Sequence, residues 1–351
     1  MLRVCYARGM KQFKVVLVGC GAMSKEWIRV ALQIPNLELV GMVDLYEENA
    51  RTRAAEFNLE RVQIGTDLAQ MLGRTKADLV FDVSIPEAHY GVALEAFKHG
   101  AHVLGEKPLA DSLVRAIEMV NSATHSQLTH SVMQNRRFDP NILNVKKFLE
   151  SGQIGAVTTV NADFFIGAHF GGFRDSMAHV LLLDMAIHTF DQARFMTGCD
   201  PKNVYCLEFN PKDSWYAQGS SAHCIFEMSD GVVFNYRGSW CSEGFHTTWE
   251  SDWRVIGTRG TLRWDGGGYQ KAQIVSETGG FLSKHTELEL PKLEHQTARG
   301  HEGLIRDFMT NLEQQTAQAT PSSDNIKSLA MVFAAVESAE TGLRVPVRWT
   351  T

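Results

Sequence analysis

The chain has 351 residues, 44% of them apolar and 21% charged, and a formal net charge of -6. That length asks for more than one hydrophobic core, so two domains are expected. The acidic balance argues against a general nucleic-acid binder, and no apolar run reaches the roughly 18 residues that cross a bilayer.

Met1 to Gln12 carries charges but lacks the apolar segment of a signal peptide. Residues 1–10 read as a loose extension, with Met10 as the natural start. Strand-like sequence begins at Phe13, and Val15-Val16-Leu17-Val18 is wholly apolar, as in a strand buried on both faces. Helices are then expected over 23–33, 47–57, 87–99 and 112–124, alternating with strands over 37–43, 77–84, 102–105 and 128–133. This alternation implies βαβ units and a parallel sheet, an α/β domain over 12–134.

The pattern changes after Met133. A helix is expected over 140–151. Longer strand-like runs follow at 157–165, 204–209, 222–228, 232–240, 253–256 and 260–264. Ser229-Asp230-Gly231 and Thr258-Arg259-Gly260 are hairpin signals. One helix, over 178–196, interrupts the strands. The region 135–300 therefore reads as an α+β domain with a mostly antiparallel sheet. The tail, 301–347, is helical again and broken near Pro321.

Chemistry concentrates in three places. Gly19-Cys20-Gly21-Ala22-Met23-Ser24 follows the first strand and opens a helix. It has the first two glycines of the dinucleotide fingerprint, with Ser24 where a third would stand. Gly19 allows the tight turn and Gly21 lets a pyrophosphate approach the backbone, with the helix N-terminus behind it. Asp44 ends the second strand, where a carboxylate accepts from both ribose hydroxyls and repels a 2′-phosphate. NAD is thus favoured over NADP; the alternative role for Asp44 is a helix cap. Glu106-Lys107-Pro108 follows another short strand. Lys107 there is a solvated charge, a cofactor contact or a proton donor. Finally, Asp184 and His188 are four apart in an apolar helical segment, with Asp191 on the same face. A structural Asp–His pair is the alternative. Neither HxxxH nor HExxH is present, and the six cysteines form no CxxC pair. No metal site or disulfide framework is expected, and free thiols fit a reducing cytoplasm.

A hydride leaves a carbon only as its hydroxyl loses a proton, so such a site needs a general base. His188 titrates in the right range. Lys107 would hold and polarise the oxygen, and Asp184 would orient the substrate or balance charge.

These stretches, with Asp82 to His89, Asn135-Arg136-Arg137-Phe138-Asp139-Pro140, Ser151 to Gly155 and Gly257 to Leu262, resemble the Gfo/Idh/MocA oxidoreductases over nearly the whole chain. The resemblance implies an N-terminal Rossmann domain, a C-terminal domain with a large open, mostly antiparallel sheet, and last helices packing back near the first domain. It implies catalysis by Lys107, Asp184 and His188. It adds Ala22, Met23, Ser84, Ile85, Pro86, His89, Glu106, Lys107 and Asn135 to Gly19, Gly21 and Asp44 on the cofactor side. It also implies a sugar, cyclitol or related substrate, and a homodimer or homotetramer formed through the exposed sheet face.

The substrate side is less specific. Arg136 and Arg137 either reach the nicotinamide or substrate or anchor a loop. His169 and Arg174 lie on a glycine-rich loop that either closes over a ligand or merely connects. Trp240, Trp249 and Trp253 are stacking faces or core. The expected activity is hydride transfer between nicotinamide and a secondary hydroxyl or ketone. A redox-assisted glycoside hydrolase and a non-catalytic dinucleotide sensor are the alternatives.

Overall fold

The computed structural model describes residues 11–290 and 298–350. The expectation for residues 1–10 lies outside the described residues. The chain forms two compact units. The first runs through Asn135 and takes back Ala298–Ile326. The second takes the described residues from Arg136 and from Lys327 onward.

The first unit alternates β1 (Phe13–Val18), α1 (Ser24–Ala31), β2 (Leu37–Val43), α2 (Glu47–Glu56), β3 (Gln63–Gly65), α3 (Leu68–Thr75), β4 (Leu79–Asp82), α4 (Pro86–Lys98), β5 (His102–Gly105), α5 (Leu113–Ser126) and β6 (His130–Val132). All six strands run parallel in the order β3-β2-β1-β4-β5-β6. Val15 and Val16 are fully buried because β1 lies at the centre with helices on both faces. The strand order reverses between β1 and β4, which opens a crevice at their carboxyl ends. Pro86 starts α4 at a position where its missing N–H costs nothing. The sequence analysis did not find β3 and α3. Three residues are too few for a strand period to show.

The second unit contains α6 (Pro140–Glu150), β7 (Val157–Phe165), α7 (Phe173–Ser176), α8 (Ile187–Thr197), β8 (Pro201–Phe209), β9 (Ser221–Met228), β10 (Val233–Ser239), β11 (Asp252–Gly257), β12 (Gly260–Trp264), β13 (Gln270–Glu277) and β14 (Lys284–Glu289). Its nine-stranded sheet has the order β14-β13-β12-β11-β7-β10-β9-β8-β15, where β15 is Val345–Pro346. Every pairing is antiparallel except β7 with β10. One face packs on α8, with Phe190 edge-on to Phe226 at 4.8 Å and to Tyr236 at 5.2 Å. On the other face, β9 alternates outward with His223, Ile225 and Glu227. β13 and β14 escaped the sequence reading because their residues are mostly polar and exposed, without an apolar alternation.

The expected helix over 178–196 is not one α-helix. Residues Leu181–Ala186 form a π-helix that runs into α8. His179, with φ at +51°, stops regular helix before it. A π-turn holds one more residue than an α-turn, so the offset between Asp184 and His188 is not the α-helical one. The tail is not one piece either. In α9 (Gly300–Gln314) and the stretch to Ile326 it belongs to the first unit, where Val132 N donates to Thr320 O at 3.0 Å. Beyond Ile326, α10 (Ser322–Thr341) belongs to the second, where Ser328 Oγ donates to Asp191 and Ser338 Oγ accepts from Cys206 N.

Candidate active site

In the first unit the glycine loop leaves β1 at the crevice. Gly19 has φ +86°, and a Cβ there would lie 2.5 Å from Val83 O, so only glycine fits. A Cβ on Gly21 would meet nothing within 4 Å, so this side of the loop is open. Gly21, Ala22 and Met23 are exposed. The buried Ser24 bonds Gly21 O through its hydroxyl at 2.6 Å, a structural use of the position where a third glycine was expected. Buried Arg53 donates to the carbonyls of Cys20 and Gly21 at 3.3 and 3.1 Å. It braces the loop from the side away from solvent, and the sequence carries no local sign of it.

Asp44 is fastened to the same loop. Its Oδ2 accepts from Cys20 N at 2.8 Å, and Oδ1 accepts from Tyr46 N at 2.9 Å and Asn49 Nδ2 at 3.0 Å. Burial, with the Asp44 charge added, pushes the neighbouring Cys20 thiol up to about 12, so it stays neutral. Met23, Leu45, Tyr46 and Ile85 are exposed apolar side chains beside the ends of β1, β2 and β4. An open glycine loop, a fixed carboxylate and this apolar rim fit an adenine dinucleotide.

Two cofactor-side expectations change in detail. His89 is only 2% exposed, and its Nδ1 lies 2.8 Å from Asp82 Oδ2. Asp82 also accepts from Ser84 N at 3.1 Å. The histidine sits on the inward face of α4, so it supports the Ser84-Ile85-Pro86 turn through Asp82 rather than lining the crevice. Burial alone would lower the His89 pKa, and the Asp82 carboxylate overrides it and raises it. Glu106, after β5, is likewise tied inward. Its Oε1 accepts from the indole of Trp27 at 2.8 Å and from His301 Nε2 at 3.2 Å. Lys107 follows it, half-buried, at the carboxyl edge of the sheet, and the Lys107-Pro108 bond is cis. Asn135 Nδ2 donates to His301 Nδ1 at 3.3 Å.

The second unit carries Asp184 and His188, both half-buried on an otherwise buried helix. Arg174 brings its guanidinium to Asp184, with Nε at 2.8 Å and Nη2 at 3.4 Å. The hydrogen bond to Asp184 raises the pKa of Arg174. Arg174 also lies over the rings of Phe170 and Phe173. The glycine-rich loop is therefore linked to the helix by this pair. His169 stacks on Trp215 at 3.8 Å and meets Glu243 Oε1 at 3.2 Å, with most of its side chain exposed. Trp249 is half-exposed, whereas Trp240 and Trp253 are core.

Arg137 is committed to a buried partner within its own unit. Its side chain is 7% exposed and pairs with both oxygens of Asp191, at 2.7 and 2.6 Å. The third polar residue of the Asp184–His188–Asp191 series thus serves as the partner of Arg137. The substrate role expected for Arg137 gives way to a structural one. Arg136 donates to the carbonyl of Trp249 and lies 3.6 Å from Glu250, so it anchors the Trp249 loop. Among the described residues there is no group of three or more His, Cys, Asp or Glu placed to hold a metal, and no helix is long and apolar enough to cross a membrane.

Comparison with known proteins identifies the family and the fold. A model of an oxidoreductase family with an NAD-binding Rossmann fold matches residues 13–134. A model of the GFO/IDH/MocA C-terminal domain matches residues 142–263. The inositol 2-dehydrogenase/D-chiro-inositol 3-dehydrogenase of Lacticaseibacillus casei is 30% identical, over 87% of this chain and 77% of its own. The 1,5-anhydro-D-fructose reductase of Ensifer adhaerens is 24% identical, over 93% and 96%. An oxidoreductase from Agrobacterium radiobacter, solved in complex with NAD+, L-tartaric acid and magnesium, shares the fold. Its TM-score is 0.82 at 21% identity, covering 96% of this chain and 99% of that one. The chain belongs to the Gfo/Idh/MocA family of NAD-binding oxidoreductases.

Proposed function

We propose that the protein is an NAD-dependent dehydrogenase acting on a secondary hydroxyl of a sugar-like substrate. The observation that carries this reading is Asp184 and His188, half-buried on an otherwise buried helix, with Arg174 holding Asp184. Polar groups are costly to bury, so a carboxylate and an imidazole kept on such a helix are placed for use.

In this reading His188 accepts the proton of the substrate hydroxyl as the C–H bond breaks. Lys107 steadies the developing negative charge on that oxygen. Asp184, oriented by Arg174, receives a neighbouring hydroxyl. Bound nicotinamide supplies the hydride acceptor. Asp44 favours NAD over NADP, since its carboxylate repels a 2′-phosphate. Relatives named for inositols and an anhydro sugar support a polyol substrate, and half-exposed Trp249 offers a ring face to it. Self-association belongs to the open face of the nine-stranded sheet and its edge, where Tyr205, Leu207, Phe209 and Ile225 are exposed. Buried free thiols at Cys20, Cys199, Cys206 and Cys224 fit a reducing cytoplasm.

The test is a panel of sugars, inositols and glycosides with NAD+ and NADP+, read by the absorbance of the reduced cofactor. Steady NADH formation with one member is expected, and Lys107→Met should bind NADH yet lose turnover. Full turnover by Lys107→Met would overturn the catalytic assignment. Glycoside cleavage without net NADH would replace the dehydrogenase by a hydrolase.

A further inference from the structure

His301 has no part in the reaction above, yet it touches two residues of the cofactor side. It opens α9, 195 positions from Glu106 and 166 from Asn135. Its imidazole stands between them, with Nε2 at 3.2 Å from Glu106 Oε1 and Nδ1 at 3.3 Å from Asn135 Nδ2. Glu106 follows β5 and Asn135 comes shortly after β6, and these two strands are parallel neighbours. Glu106 is held a second time by Trp27, and its other oxygen accepts from Lys107 N at 3.3 Å.

One ring nitrogen meets the Asn135 amide and the other meets the Glu106 carboxylate, so the two sides of the imidazole hold two different partners.

We propose that His301 is a positioning residue for the cofactor. Its two ring nitrogens set the Asn135 amide and the Glu106 carboxylate on either flank of Lys107. This rests on the reading that Asn135 binds the nicotinamide nucleotide.

Two variants separate the contacts. In His301→Asn the side-chain oxygen takes the place of Nδ1 and accepts from Asn135. In His301→Gln the amide nitrogen takes the place of Nε2, reaches Glu106 and leaves Asn135 unheld. NADH is titrated into each protein by fluorescence, with melting temperatures recorded alongside. His301→Asn should bind as wild type does. His301→Gln should bind about fivefold more weakly, the worth of roughly one hydrogen bond, with an unchanged melting temperature. Wild-type affinity in His301→Gln would overturn the proposal, as would equal weakening in both variants. Failure of the wild type to bind NADH at all would overturn the parent reading, and this inference with it.

Discussion

Replacing Asp44 by asparagine keeps the shape of the side chain but removes more than its charge. A carboxylate accepts on both sides, whereas an amide accepts on one side and donates on the other. Asp44 meets Cys20 N with one oxygen and Tyr46 N with the other, at 2.8 and 2.9 Å. Whichever way the new amide is turned, its NH2 faces one of these backbone N–H groups. One donor of the glycine loop or of the following turn therefore loses its acceptor, at about 1–3 kcal/mol. If Asp44 holds the ribose as proposed, that charge-assisted contact is lost as well, at about 1.5–3 kcal/mol. That second loss alone corresponds to an NADH Kd about 10- to 150-fold weaker. NADPH should suffer less, because the repulsion of its 2′-phosphate also goes. Fluorescence titration of Asp44→Asn with both reduced cofactors, beside urea unfolding, measures the two losses separately. A variant that binds NADH within about twofold of wild type, at an unchanged NADH to NADPH ratio, would refute the reasoning.

Two further outcomes concern stability. Arg137→Met leaves Asp191 buried without the cation that pairs with both its oxygens. Urea unfolding should show a loss of about 3–5 kcal/mol, and a loss below about 1 kcal/mol would remove the structural role given to this pair. His130 is buried, and burial depresses its pKa to about 4. Between the unfolded value near 6.5 and about 4, only the unfolded chain takes up this proton. Stability carried by neutral His130 is therefore present above about pH 6.5 and lost as pH falls toward 4, by about 3 kcal/mol in all. His130→Gln should flatten that part of the acid unfolding profile, and an unchanged slope would show that His130 does not carry it.

Much of the first unit was legible because its signals are local. Strand β1 is apolar throughout, the glycines follow it directly, and Asp44 closes the next strand. Each depends on a few consecutive residues and on the fixed geometry of a βαβ unit. The Asp184–His188 spacing was legible in the same way, although the π-turn that presents it was not. A helix period says which residues share a face and nothing of an inserted residue in a turn. His89 and Arg137 were read as ligand contacts because each lies in a motif. Burial against Asp82 and Asp191 decided otherwise, and the identity of a buried partner is not written in neighbouring sequence.

The sequence by itself thus determined the nucleotide-binding loop, its carboxylate, the alternation that makes the parallel sheet and the polar pair on the apolar helix. Each follows from short-range backbone geometry and side-chain period. Only the tertiary structure brought Trp27 and His301 to Glu106, set Arg53 behind the glycine loop and divided the C-terminal helices between two units. Those meetings join residues from 32 to 195 positions apart. They arise from which apolar faces bury against each other, and no local propensity encodes that choice.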